Sequence, residues 1–115
     1  MLWSMRDFQQ WEIWEADVPF SEDLSKSKKR PVLIISPTVV LVLKLTTHGH
    51  SDKPKPYEYE IAKWEKAGLS ARTYIQCDRF IKLDREKFTE KYYGRLQATD
   101  IIGLQAMMKF HGLVK

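Results

Sequence analysis

Two short stretches of the sequence concentrate the residue types that could do chemistry. The first is Lys28-Lys29-Arg30, set directly against the apolar run Pro31-Val32-Leu33-Ile34-Ile35. A lysine run is ordinarily a solvated surface, but Arg30 differs from its neighbours. Pro31 restricts the backbone beside it, and the strand it leads into would anchor it. A guanidinium held there presents parallel N–H donors that match the oxygens of a phosphate. The second stretch is Thr46-Thr47-His48-Gly49-His50. Its threonines read first as ordinary strand residues. His48 and His50 could chelate a cation, but without a nearby cysteine or third histidine they are a poor ligand set, so no metal is expected. An imidazole titrating near neutrality could move protons instead.

Other residues carry weaker signals. Asp78 ends the run Thr73-Tyr74-Ile75-Gln76-Cys77-Asp78, where an aspartate commonly caps or turns the chain. It becomes chemically interesting if that strand end converges on Arg30. Trp3, Trp11, Trp14, Trp64 and the tyrosines read first as core or interface, and second as surfaces on which bases could stack. There is no glycine-rich phosphate loop, no Cys/His finger spacing and no nucleophile elbow.

These groups must be positioned by strands. Residues 11–18 (WEIWEADV) mix aromatic and β-branched side chains with acids and read as a first strand, followed by a polar, mobile loop over residues 19–29. Residues 30–36 form the second strand. Pro37-Thr38 makes almost the whole turn to a third, VVLVLKLTT at residues 39–47. That strand lacks polar alternation, so both its faces should be covered, by the core and by a partner subunit. Residues 57–61 and 73–78 read as further strands. Residues 62–69 read as one or two helical turns stopped at Gly68, residues near Asp84 as a capped turn, and residues 92–96 as a last strand. Thr99 or Asp100 can cap a terminal helix whose apolar positions include Ile101, Leu104 and Met108. Gly103 should weaken that helix by about 1 kcal/mol relative to alanine.

The 115 residues suit one domain with a single core, residues 1–115, in a mostly β, barrel-like fold of five or six strands with a C-terminal helix. Hydrophobic residues make up 43% and charged residues 30% of the chain, which excludes a disordered polyelectrolyte. The net charge of +4 permits a polyanionic partner without requiring one. Cys77 is the single cysteine, so no intrachain disulfide forms and a reducing compartment fits. The first residues, MLWSMRDFQQW, do not read as a signal peptide, and the longest apolar segment falls short of the roughly 20 residues a spanning helix needs. A cytoplasmic location away from membranes is expected.

Taken in order, several segments resemble the MazF/PemK family of toxin endoribonucleases from bacterial toxin–antitoxin pairs. They are WEIWEADVPF, KKRPVLIIS after a flexible loop, VLVLKLTTH, AGLSARTYIQCDRFIKLD, and GRL before a terminal helix. The resemblance spans nearly the whole chain and rests on the order and spacing of the motifs. It implies an SH3-like barrel (shared with the gyrase toxin CcdB), usually as a homodimer. It also implies cleavage of single-stranded RNA at short sequences without metal or other cofactor. In that reaction the ribose 2′-oxygen attacks the adjacent phosphorus, leaving a 2′,3′-cyclic phosphate and a 5′-hydroxyl.

By position, Arg30 matches the family's arginine before the Pro-Val-Leu strand, with acid and phosphate-stabilising roles. Thr46 matches the threonine that hydrogen-bonds the scissile phosphate, and Asp78 matches the acid of the Kid-like Arg-Cys-Asp segment. Gln76 stands where Kid has the arginine, so that protein's acid–base assignment does not transfer whole. His48, two residues past Thr46, could take the vacated proton role. Lys28, Lys29, Thr47 and Gln76 are expected to contact RNA, and Phe20 to stack on a base. A small acidic antitoxin should cover the basic groove. Two other classes remain open: a non-catalytic toxin that poisons gyrase, and an RNA-binding relative without catalysis.

Overall fold

The computed structural model describes residues 7–20, 22–48 and 53–113. Trp3 and His50, both noted above, lie outside the described residues. The elements in order are β1 (Glu12–Pro19), β2 (Ser27–Ser36), β3 (Leu41–Thr46), β4 (Glu58–Glu60), β5 (Tyr74–Gln76), β6 (Ile81–Lys82), β7 (Phe88–Arg95) and α1 (Ala98–Phe110). A 3₁₀ turn at Arg85–Lys87 leads into β7. The strands form an antiparallel sheet in the order β4-β5-β3-β2-β1-β7, with β6 also on β3. Among the described residues the end strands β4 and β7 are not joined, so the sheet is open, an arrangement compatible with a barrel-like fold. The mostly β architecture with one terminal helix agrees with the expectation from sequence.

Alternation along β3 explains its continuous apolarity. Leu43 and Leu45 turn to one face, packing with Ile13, Leu33 and Ile75 beneath Leu104 and Met108 of α1. Val42 turns to the other, packing with Val18, Val32 and Ile34 beneath Phe8, Leu83 and Phe88. Both faces are therefore covered by the chain's own residues, and the pattern of β3 requires no partner subunit.

Four expectations need correction. Lys28 and Lys29 are not in a mobile loop: β2 begins at Ser27, and they pair with Val18 and Asp17 of β1. The opposed Lys29 and Asp17 charges favour that extension. Val39 and Val40 belong to a four-residue turn rather than to β3. Val40 takes a left-handed φ of +43°, a strain offset by burying its side chain in the second core. Residues 62–68 make consecutive turns instead of a helix, stopped at Gly68 as expected. The last strand is longer than the sequence pattern indicated, and β6 had no apolar run long enough to mark it.

The terminal helix is also anchored differently. Gln97 is its N-cap and makes no side-chain cap bond. Asp100, inside the first turn, is fully buried and works across the structure. Its Oδ1 accepts the Tyr59 hydroxyl and the Ala62 N–H, both at 2.8 Å, and its Oδ2 accepts the Lys63 N–H at 2.9 Å. One carboxylate thus satisfies the start of the 62–68 turns and locks α1 to β4. The phenol between them explains Gly103: a β-carbon there would lie 2.5 Å from the Tyr59 hydroxyl oxygen.

Candidate functional site

The register between β2 and β3 decides what meets Arg30. Val32 pairs with Lys44, and carrying that register on by two residues sets Arg30 opposite Thr46. Both residues line one open cleft of about 280 Å³ at the ends of these strands, together with Lys28, Lys29 and Thr47. The facing wall comes from Leu69, Ser70, Ala71, Thr73 and Tyr93. That wall sits close because the chain at Gly68 presses against β7. Gly68 has φ +90°, and a side-chain carbon there would overlap the Tyr93 carbonyl oxygen.

Arg30 is half-buried, with Ala16 directly across on β1. Its Nε is buried and has no hydrogen-bond partner among the described residues. A buried donor left unpaired costs about 1–3 kcal/mol, a cost that an anion at the guanidinium would remove. Lys28, Lys29 and Thr47 are exposed at the rim. The Thr46 hydroxyl has only a long contact, 3.3 Å to the Thr47 carbonyl, and so is available to an incoming oxygen.

His48 and Gln76 are engaged elsewhere. His48 Nε2 lies 2.7 Å from Glu58 Oε1, with the ring edge-on to Tyr74. Gln76 Nε2 donates to Glu58 Oε2 at 3.1 Å, and the Lys55 N–H donates to Oε1 at 2.8 Å. Burial by itself would raise the Glu58 pKa. The bonds from Lys55, Gln76 and His48 outweigh it and hold the carboxyl below the ordinary glutamate value. This carboxylate, unmarked in the sequence reading, ties the exit of β3 to β4 and β5. The side chain is 1% exposed, as expected of a structural latch. Neither His48 nor Gln76 lines the cleft.

Asp78 is exposed just beyond β5, and its charge acts on Lys44, as does that of Arg30. Asp78 does not line the cleft. Phe20 is half-buried, with its N–H donating to the Lys26 carbonyl at 2.9 Å across the β1–β2 loop. It is not among the cleft residues. Lys44 and Arg79 were overlooked in the sequence. A lysine at the same parity as Thr46 in an otherwise apolar strand was the available signal.

Residues 9–110 match the family model of PemK-like, MazF-like toxins of type II toxin–antitoxin systems. No curated protein sequence matches the chain. Among solved structures, one similar fold is a mycobacterial endoribonuclease in complex with its cognate antitoxin. The two share 14% identity and a TM-score of 0.69, over 94% of this chain and 97% of that one. A second mycobacterial endoribonuclease has 15% identity and a TM-score of 0.67, over 93% and 92%. The Mycobacterium tuberculosis toxin MazF-mt6 has 18% identity and a TM-score of 0.61, over 89% and 98%. At these identities the likeness is one of fold.

Proposed function

The chain belongs to the family of PemK-like, MazF-like toxins of type II toxin–antitoxin systems, and we propose on that premise that it is an endoribonuclease of single-stranded RNA. The observation that carries the reading is the meeting of Arg30 and Thr46 at one cleft, with Arg30 Nε buried and without a hydrogen-bond partner among the described residues. Such a donor set suits the non-bridging oxygens of a phosphodiester. The ribose 2′-oxygen attacks phosphorus, the P–O5′ bond breaks, the 2′-hydroxyl proton is lost and a proton goes to the departing 5′-oxygen. The products are a 2′,3′-cyclic phosphate and a 5′-hydroxyl. Negative charge grows on the phosphoryl oxygens as the fifth bond forms, and fixed donors aimed at it are worth most in a desolvated cleft.

Roles follow from position. Arg30 holds and neutralises the phosphate, and Thr46 donates a hydroxyl to it. Lys28 and Lys29 draw in the RNA backbone from the rim, and Thr47 contacts the nucleotide beside the scissile bond. Asp78 stands exposed beyond β5, outside the cleft lining. His48 and Gln76 hold the exit of β3 in place through Glu58, a positioning role in place of the direct one expected from sequence. The chemistry needs no metal, because the cations it requires are side chains. An acidic antitoxin fits the basic rim, and one structurally similar endoribonuclease is bound to its cognate antitoxin. Exposed Tyr92, Ile102 and Phe110 offer apolar surface for a homodimer.

The test is incubation of the purified protein with long single-stranded RNA in the presence of EDTA. Cleavage to cyclic-phosphate ends is expected, and Arg30→Ala should lower the rate by about 10²–10³-fold without loss of the folded far-ultraviolet signal. Intact RNA at micromolar protein would overturn the nuclease reading, and bound but uncut RNA would identify a binding relative. Full activity in Arg30→Ala would remove Arg30 from the site.

A further inference from the structure

Lys44 is out of place for a structural residue. It lies in β3, between β2 and β5 in the sheet, with buried Leu43 and Leu45 on either side. A lysine there gives up part of its hydration, a cost normally met by an acidic partner. Among the described residues Lys44 is in no ion pair. Its charged neighbours are Arg30 from β2, Arg79 and Asp78 beyond β5, and Glu22 from the β1–β2 loop. Arg30 and Arg79 thus act against the Lys44 charge, and Asp78 and Glu22 act with it. Burial, then Arg30 and Arg79, lower the pKa of the Lys44 ammonium, while Asp78 and Glu22 oppose the shift. The buried Arg30 Nε on the same face likewise has no hydrogen-bond partner among the described residues.

The strand geometry says what would take the place of an acidic partner. Lys44 and Thr46 are two residues apart on β3, so their side chains leave the same face about 7 Å apart along it. That separation is close to the spacing of successive phosphates along an extended nucleic-acid strand. Arg30, opposite Thr46 by register, is the diagonal neighbour of Lys44 on that face, within about 7–8 Å. Arg30 and Thr46 border the cleft, whereas Lys44 does not line it and shares with Thr46 the face of Val42 and Val32.

We propose that Lys44 forms a second phosphate subsite beside Arg30 and Thr46, which binds the RNA phosphate next to the scissile one. The RNA backbone then runs along β3, one phosphate at Thr46 and Arg30 and its neighbour at Lys44. This assignment rests on the endoribonuclease reading above. Lys44 binds and aligns the strand, and Arg30 remains the group at the reacting phosphorus.

Cleavage kinetics and equilibrium binding of single-stranded RNA, across a series of salt concentrations, test it in wild type, Lys44→Met and Lys44→Arg. Lys44→Met keeps the length of the side chain and suits an apolar strand, and melting curves establish that each variant is folded. Lys44→Met should raise KM on the order of 10-fold with kcat nearly retained, because one phosphate contact is lost away from the reaction centre. Its slope of log affinity against log salt should fall by about 0.7, the share of one single-strand phosphate contact. Lys44→Arg should restore the slope. An unchanged slope and KM in Lys44→Met would overturn the subsite while wild-type cleavage kept the nuclease reading intact. Loss of kcat at constant KM, or equal loss in Lys44→Arg, would also overturn it. RNA neither bound nor cut by wild type would overturn both.

Discussion

Replacing Glu58 with glutamine removes one negative charge from a carboxylate that is almost fully enclosed and accepts from three donors. The new amide keeps an oxygen for the Lys55 N–H and for His48. Its NH₂ group meets the Gln76 amide, which can rotate to accept from it. The loss is therefore the charge on the three bonds rather than the bonds themselves. A hydrogen bond to a charged group contributes about 1.5–3 kcal/mol, against about 0.5–1.5 for a neutral one, so Glu58→Gln should cost roughly 2 kcal/mol at pH 7. For a chain of this size that is a fall of about 8 °C in Tm.

The pH dependence has a definite sign. The folded-state pKa of Glu58 lies below its ordinary value of 4.5, so its contribution is complete above that value and disappears as pH falls through the folded pKa. Urea or thermal unfolding of wild type and Glu58→Gln, from pH 7 down to pH 3.5, should show a gap that narrows only at the acid end. Because the latch positions the exit of β3, RNA cleavage should fall too, by up to about 10²-fold if Thr46 moves by an ångström. A gap under about 0.5 kcal/mol at pH 7, or one constant down to pH 3.5, would refute the role given to the carboxylate.

Two further outcomes follow from packing. Gly103→Ala gains about 1 kcal/mol of helix propensity, yet it drives a β-carbon into Tyr59, which its hydroxyl bond to Asp100 holds in place. The variant should be less stable by about 1–3 kcal/mol in urea unfolding, and a more stable variant would contradict the packing described for α1. Cys77 is fully buried, and burial, with the nearby Asp78 charge adding to it against a backbone hydrogen bond from Tyr59, pushes its thiol up to about 12. It should resist an aromatic disulfide reagent at pH 8 in the folded protein and react fully in denaturant. Fast labelling of the native chain would show that this side of the core opens.

Local pattern carried much of the protein's design. The alternation in residues 11–18, the apolar runs after Arg30 and toward Thr46, and the apolar spacing of Leu104 and Met108 marked β1, β2, β3 and α1 before any contact was visible. Local pattern also marked Arg30, since its chemistry and its junction with Pro31 are both written in adjacent residues. Family resemblance added Thr46 through motif order. Tertiary structure decided the rest, because each remaining feature depends on segments distant in the chain. Lys28 and Lys29 become strand residues only when β1 is present to pair with them. Asp100 reads as a helix cap until the start of the 62–68 turns is brought to its carboxylate, 38 residues away along the chain at Ala62. His48 looks free to move protons until Glu58 arrives from β4. Lys44 is an oddity of composition until the sheet sets it beside Arg30, Arg79 and Asp78. Periodicity reports which face a side chain leaves by, whereas its neighbours are fixed by strand pairing and burial, which only the folded chain supplies.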